Sequence, residues 1–235
     1  MPNYYPVMLD VRNRLAIVVG GNQVAAEKAA ALSASGAKVS VISPIFCAEL
    51  LAQAELGQVT LCCKTYESGD LAGAFVVIAV ADHPQLVRDI WTETQERGQL
   101  VNIVDVPASC SFIMPSVLRR EQLTIAVSTQ GASPSLAKRI RHHLEDLFPL
   151  AYGIYLRLAT IARAYLRKNG VSYEQRDNFF GDFFTSDVLD LLVEGNTQQA
   201  TSITATLLQR YGIDVLANTL ETELADVKEH ANRDA

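Results

Sequence analysis

Between residues 15 and 31 the chain reads LAIVVGGNQVAAEKAAA, and this stretch constrains the fold more than any other. Five apolar residues, from Leu15 to Val19, run into Gly20-Gly21-Asn22, and an apolar helical spacing starts with Val24 and Ala25. The order is strand, tight glycine turn, helix N-terminus. Such a junction gathers unpaired backbone N–H groups and the positive end of a helix dipole at the mouth of a buried strand, which suits a pyrophosphate. Against the dinucleotide fingerprint G-x-G-x-x-G/A, the chain supplies Gly20, then Asn22 in place of the second glycine, then Ala25. Asparagine tolerates a positive φ better than most residues but carries a Cβ, so the match speaks more for the fold than for tight cofactor binding. On these residues alone, a turn that merely needs glycine stays open.

The following segments repeat the same alternation. The helix from Val24 places Ala25, Ala29 and Leu32 on one face and stops at Gly36. Residues 38–42 (KVSVI) form a strand halted by Ser43-Pro44, residues 46–56 a helix, and residues 59–63 and 75–80 two more strands. Pro84 opens a helix that Gly98 closes, and residues 100–104 (LVNIV) form a buried strand. Residues 5–10, ahead of all this, alternate enough for a short strand or edge segment. Apolar strands alternating with helices call for a parallel sheet covered on both faces, hence an α/β, Rossmann-type doubly wound fold. Ligands of such sheets bind beyond the carboxyl ends of the strands, which selects Gly20, Gly21 and Asn22, Ser43 and Pro44, residues 79–82, and Asp105. The acid that usually holds a ribose about 20 residues past the glycines is replaced by Ser43, with no arginine beside it, so NAD and NADP both remain open.

After Asp105 the pattern changes. Residues 111–118 and 123–128 read as two strands joined by a turn, and Ser133-Pro134 caps and opens a helix running to Leu147. Pro149 breaks that helix, and helical segments follow at 152–168, 173–180, 187–194, 197–211 and 214–229. The expected organisation is a dinucleotide-binding domain over 1–112, a segment of two strands plus helix over 113–149, and a helical domain over 150–235.

With 49% hydrophobic and 20% charged residues, the composition is that of an ordinary globular chain, and neither a signal peptide nor a membrane span is read in it. Cys47, Cys62, Cys63 and Cys110 show no C-x-x-C spacing, which argues against a zinc site or a disulfide framework and for the cytoplasm. A net charge of −6 argues against nucleic acid as a partner. Yet residues 138–176 hold eight Lys/Arg and three Asp/Glu, while residues 177–235 hold three and eleven. A basic middle segment is either a seat for an anionic ligand or a set of solvated helix faces.

The segments VVGGNQVAAEKAAAL, VIAVAD, NIVDVP, SFIMPS and VSTQGASPSLAKRIR, in this order, resemble the precorrin-2 dehydrogenase/sirohydrochlorin ferrochelatase family, the siroheme synthase module. The resemblance covers roughly residues 4–150 and is carried most specifically by NIVDVP and SFIMPS. It implies NAD-dependent oxidation of precorrin-2 to sirohydrochlorin, with Fe2+ insertion as a second activity of many members. It also implies an intertwined homodimer that exchanges the segment after the Rossmann unit, which suits two strands too few to be stable alone. On the same grounds Asp105 is the catalytic residue; a carboxylate there can take the proton that must leave with the hydride, or pyrrole N–H protons during metal insertion. Read without the family, Asp105 could equally cap a turn before Pro107. The implied cofactor contacts fall on Gln23 and Val24, on Ser43, Pro44 and Ile45, and on Ala79 and Val80, beside Gly20, Gly21 and Asn22. Ala81 stands where the family often has threonine, and Glu27 where it often has arginine.

The loop bearing Ser128, Thr129 and Gly131 corresponds to one bordering the tetrapyrrole, with Thr129 at a position where some members carry a phosphorylatable serine. A polycarboxylate substrate calls for cationic donors; Arg119, Arg120, Lys138, Arg139, Arg141, Arg157 and Arg163 are the candidates. His142 and His143 are adjacent on a helix and point about 100° apart, so surface positions suit them better than iron ligation. A non-catalytic tetrapyrrole- or nucleotide-binding protein, such as a carrier or heme-pathway regulator, is the competing reading, sustained by Asn22 and the missing ribose acid.

Overall fold

The computed structural model describes residues 4–233, and the chain forms two compact units that meet in sequence at Met114 and Pro115. In the first, β1 (Leu15–Val19) occupies the centre of a five-stranded sheet. It pairs in parallel with β2 (Lys38–Ser43) on one side and β4 (Val76–Ala79) on the other; β3 (Val59–Cys63) and β5 (Leu100–Ile103) lie outside them. The order is β3-β2-β1-β4-β5. The chain steps outward from β1, then returns to its other side, so the crevice between the ends of β1 and β4 is a topological switch point. The pairings Val19–Ile42 and Val19–Ala79 bring three strand ends level there.

Both faces of the sheet are buried, because successive side chains leave a strand on opposite sides. Ala16 and Val18 pack with Ala25, Ala26 and Ala29 of α1 (Gln23–Ala34) and with Leu50 of α2 (Ala48–Glu55). Ile17 and Val19 pack with Leu71 and with Ile90 of α3 (Pro84–Glu96). Residues 5–10 form no strand; the stretch is irregular and exposed, with Arg12 turned back on Asp10. Residues 111–115 are irregular as well.

The connection from β3 to β4 is held by one buried acid. Glu93 of α3 accepts from the Tyr66 hydroxyl at 2.6 Å, from the Gly69 and Leu71 N–H groups at 3.0 and 3.2 Å, and from Arg97 Nε at 2.9 Å. Burial alone would raise the Glu93 pKa, but these donors outweigh it and hold the carboxyl below its ordinary value. A depressed folded-state pKa contributes stability above the unfolded value that is lost as pH falls through the folded one. Glu93→Leu, which strands the Tyr66 hydroxyl and the Gly69 and Leu71 N–H groups while Arg97 can turn to solvent, should cost about 3 kcal/mol at pH 7. In urea titrations that deficit should shrink as the pH falls below the usual glutamate range; a deficit that does not change with pH would refute the account.

The second unit opens with an antiparallel hairpin, β6 (Ser116–Arg120) and β7 (Leu123–Val127), followed by α4 (Pro134–Leu147). Five helices complete it: α5 (Ala151–Lys168), α6 (Tyr173–Thr185), α7 (Val188–Val193), α8 (Thr197–Gln209) and α9 (Ala217–Arg233). Leu158, Leu166, Phe179, Phe183, Leu208 and Leu220 are its fully buried centre. Helix α6 runs past residue 180 because Phe183 continues the buried face begun by Phe179 and Phe180. Among the described residues no helix is long and apolar enough to cross a membrane.

Candidate active site

A cavity of 780 Å3 opens where the switch point predicts it, within the size range of small-molecule and cofactor clefts. Its walls are the glycine turn Gly20–Gly21–Asn22, the end of β2 with Ser43 and Pro44, Val80 and Ala81 after β4, and Val104 and Asp105 after β5. Gly20 has φ +131°, which an L side chain rarely adopts. Gly21 is fixed by contact instead: a Cβ there would lie 1.8 Å from the Ile45 carbonyl oxygen and 2.5 Å from Ser43 Oγ.

Asn22 does not use a positive φ. It is the N-cap of α1 at φ −89°, and its side chain accepts from the Ala25 N–H at 3.0 Å. The side chain is thus turned onto the helix end. The N–H groups of Gly21, Asn22, Gln23 and Val24 have no acceptor among the described residues. Four unmatched donors at a helix N-terminus, beside a cleft of this volume, fit a dinucleotide pyrophosphate. Glu27 lies beyond the first turn of α1 and is exposed.

Six predicted cofactor residues, Gly20, Gly21, Asn22, Ser43, Pro44 and Val80, line this cavity. Gln23, Val24, Ile45 and Ala79 do not. Ala79 is fully buried inside the sheet and Ile45 is 78% exposed. The Ser43 hydroxyl donates to the Ile45 carbonyl at 2.7 Å, so it shapes its own loop. Thr65, Tyr66 and Arg88 also line the cleft. No local signal marks Thr65 or Tyr66, since the buried Glu93 holds that segment from α3. Arg88 lies on the first turns of α3, where the strand-end rule does not reach.

Asp105 occupies the third position of a turn closed by the Val106 N–H on the Ile103 carbonyl at 3.1 Å, and its φ is +61°. It is exposed, and its carboxylate has no hydrogen-bond or ion-pair partner among the described residues. It therefore caps nothing, and Val106 is the residue preceding the short 3-10 turn Pro107–Ser109. Cys110 clasps the turn from behind. Its Sγ accepts from the Ile103 N–H at 3.2 Å and lies 3.2 and 3.3 Å from the Ile103 and Val106 carbonyls, to which the thiol donates. Burial pushes that thiol's pKa up, which keeps the donor proton in place. Asn102 ties the same edge to the Phe112 carbonyl at 3.0 Å.

A family model for NAD(P)-binding domains matches residues 7–116, and the model for the central part of sirohaem biosynthesis proteins matches residues 120–147. The siroheme synthase of Photorhabdus laumondii is 34% identical over 198 residues, which is 84% of this chain and 42% of that protein. The siroheme synthase of Photobacterium profundum is 37% identical over 201 residues, with the same shares. Over most of its length the chain is thus similar to siroheme synthases. It spans about two fifths of the length of those curated relatives. Among solved structures, SirC, a precorrin-2 dehydrogenase, superposes with a TM-score of 0.72 at 25% identity, covering 85% of this chain and all of SirC. The unit built on β1 to β5 is accordingly an NAD(P)-binding domain.

The remaining predicted residues of this siroheme synthase relative lie in the second unit. Thr129 accepts from the Ser133 N–H and donates to the Ser133 carbonyl, both at 3.0 Å, and Ser128 accepts from the Gln130 N–H. Gly131 has φ +87° in the same loop. Arg120 is spent on the carbonyls of Phe148, Glu145 and Arg119. Arg157 is buried, pairing with Glu121 at 2.8 Å and donating to the Leu224 carbonyl. Arg141 pairs with Glu145, and Arg163 stacks 4.7 Å above Phe180. Much of the basic middle segment thus holds its own unit together. Arg119, Lys138 and Arg139 are the exposed candidate cations with no side-chain partner among the described residues. His142 pairs with Glu145, and among the described residues no three His, Cys, Asp or Glu side chains are placed to hold a metal.

Proposed function

We propose that this chain oxidises precorrin-2 to sirohydrochlorin with NAD+ as hydride acceptor. One observation carries the reading: an unpartnered carboxylate, Asp105, is held in a left-handed backbone conformation in the wall of the cleft that contains the glycine turn. A backbone strained in this way persists only where surrounding contacts enforce it, and such positions cluster at active sites. The cofactor, when bound, supplies the two-electron acceptor. The turn and helix N-terminus bind and orient its phosphates, and Asp105 takes the proton that leaves the macrocycle. Purified protein incubated with precorrin-2 and NAD+ should develop sirohydrochlorin absorbance. No product, with NAD+ binding retained, would leave a nucleotide-binding protein without this catalysis. Fe2+ insertion would use the same carboxylate for pyrrole protons, and sirohydrochlorin with Fe2+ in the absence of NAD+ tests it separately.

A second copy of the chain is the proposed partner. Of the fourteen residues of α4 only Ala137 is buried, while Leu136, Ile140 and Leu147 form an exposed apolar stripe at i, i+4 and i+11. In the hairpin only Leu118 is buried. Two strands and such a helix are marginal without a further apolar surface. The full chain should sediment as a dimer and Ile140→Asp as a monomer. A wild-type monomer at micromolar concentration would overturn this.

A further inference from the structure

A second cavity, of 240 Å3, shares residues 104–106 with the larger one, so the turn that carries Asp105 is the partition common to both. Its other walls include Val24 and Lys28, one helical turn apart on α1, and Ile113 and Met114 after β5. The apolar lining is open to solvent: Val24 is 37% and Met114 42% exposed. Lys28 is half-buried, and its ammonium has no acceptor among the described residues. A cation whose stem lies along an apolar wall, with no counter-charge of its own, is a receptor for an anionic group carried on an apolar body.

Resting on the function proposed above, we infer that this cavity takes one pyrrole ring of the tetrapyrrole, with Lys28 pairing to that ring's carboxylate side chain. The volume supports a single ring, since sites that engulf a whole ligand start at about 300 Å3. A ring edge fixed this way stands beside Asp105, while the larger cavity on the other face of the partition stays available to the dinucleotide. Lys28 is therefore a substrate-positioning residue that acts through the orientation of the ring.

The test is equilibrium binding of sirohydrochlorin to the full chain without NAD+, followed by tetrapyrrole absorbance. Lys28→Met should weaken it about tenfold, the size of one charge-assisted contact. Lys28→Arg should stay within about threefold, because the cation is kept. In both variants the NAD+ affinity, read from Trp91 fluorescence, should be unchanged, and Lys28→Met should raise KM for precorrin-2 far more than it lowers kcat. Equal sirohydrochlorin binding by Lys28→Met would overturn the inference. So would a parallel loss of NAD+ affinity, which would mean that Lys28 only supports α1. A wild-type chain that binds no sirohydrochlorin would instead bring down the proposed function itself, before Lys28 enters.

Discussion

Asp105→Ala is expected to lower precorrin-2 oxidation by at least about 100-fold, the scale for losing a positioned general base, while NAD+ still binds. The expectation follows from three facts: the carboxylate is exposed in the cleft wall, has no partner among the described residues, and sits at φ +61°. An acid kept for stability would be bonded to something; this one is not. Asp105→Asn is the sharper variant, because asparagine tolerates the left-handed region equally and preserves the turn. It should fall as far as Asp105→Ala. Asp105→Gly should also be inactive yet at least as stable as wild type, since the strain of about 1 kcal/mol is relieved. Turnover by Asp105→Asn within a few fold of wild type would remove the residue from proton transfer.

Gly21→Ala is expected to abolish NAD+ binding at millimolar cofactor and to destabilise the first unit by about 1–3 kcal/mol, the usual cost of overpacking. The added methyl would lie 1.8 Å from the Ile45 carbonyl oxygen, and a backbone atom cannot swing aside as a side-chain tip can. The loop that includes Ser43 and Pro44 must then move away from the glycine turn, which separates two walls of the cleft. Fluorescence titration with NAD+ and urea unfolding would measure the two effects. Wild-type affinity in Gly21→Ala would show that this loop contact does not shape the cofactor site. Asn22→Gly, by contrast, restores the fingerprint glycine and exchanges one N-cap for another, with a cost of only a few tenths of a kcal/mol.

The contrast between Asn22 and Gly21 shows where local reading ends. The fingerprint assigns the close approach to position 22, yet the residue there caps a helix at an ordinary φ, and the packed position is one residue earlier. Nothing within the turn reveals that, because the atom that excludes a side chain belongs to Ile45, which follows the neighbouring strand. Tyr66 reaches the cleft for a similar reason: its segment is anchored by Glu93, 27 residues further along the chain. Charge counting has the same weakness. Arg120 and Arg157 both count as candidate cations in the sequence, but one is spent on carbonyls and the other on Glu121 and Leu224. Whether a guanidinium serves a ligand or its own fold depends on which acceptors come within 3 Å, and composition does not carry that information.

The order of the strands' apolar runs, the glycine turn and the capped helices was determined by the sequence alone, because those features depend on neighbours a few residues apart and on a period of 2 or 3.6. The parallel sheet followed from that alternation, and with it the edge on which Gly20, Ser43 and Asp105 had to meet. Only the tertiary structure decided that Asp105 stands, without a partner among the described residues, on a wall between two cavities, that Lys28 faces the smaller one, and that most arginines of the middle segment are already engaged. Those outcomes rest on distances between groups tens of residues apart, which packing sets and the local pattern cannot encode.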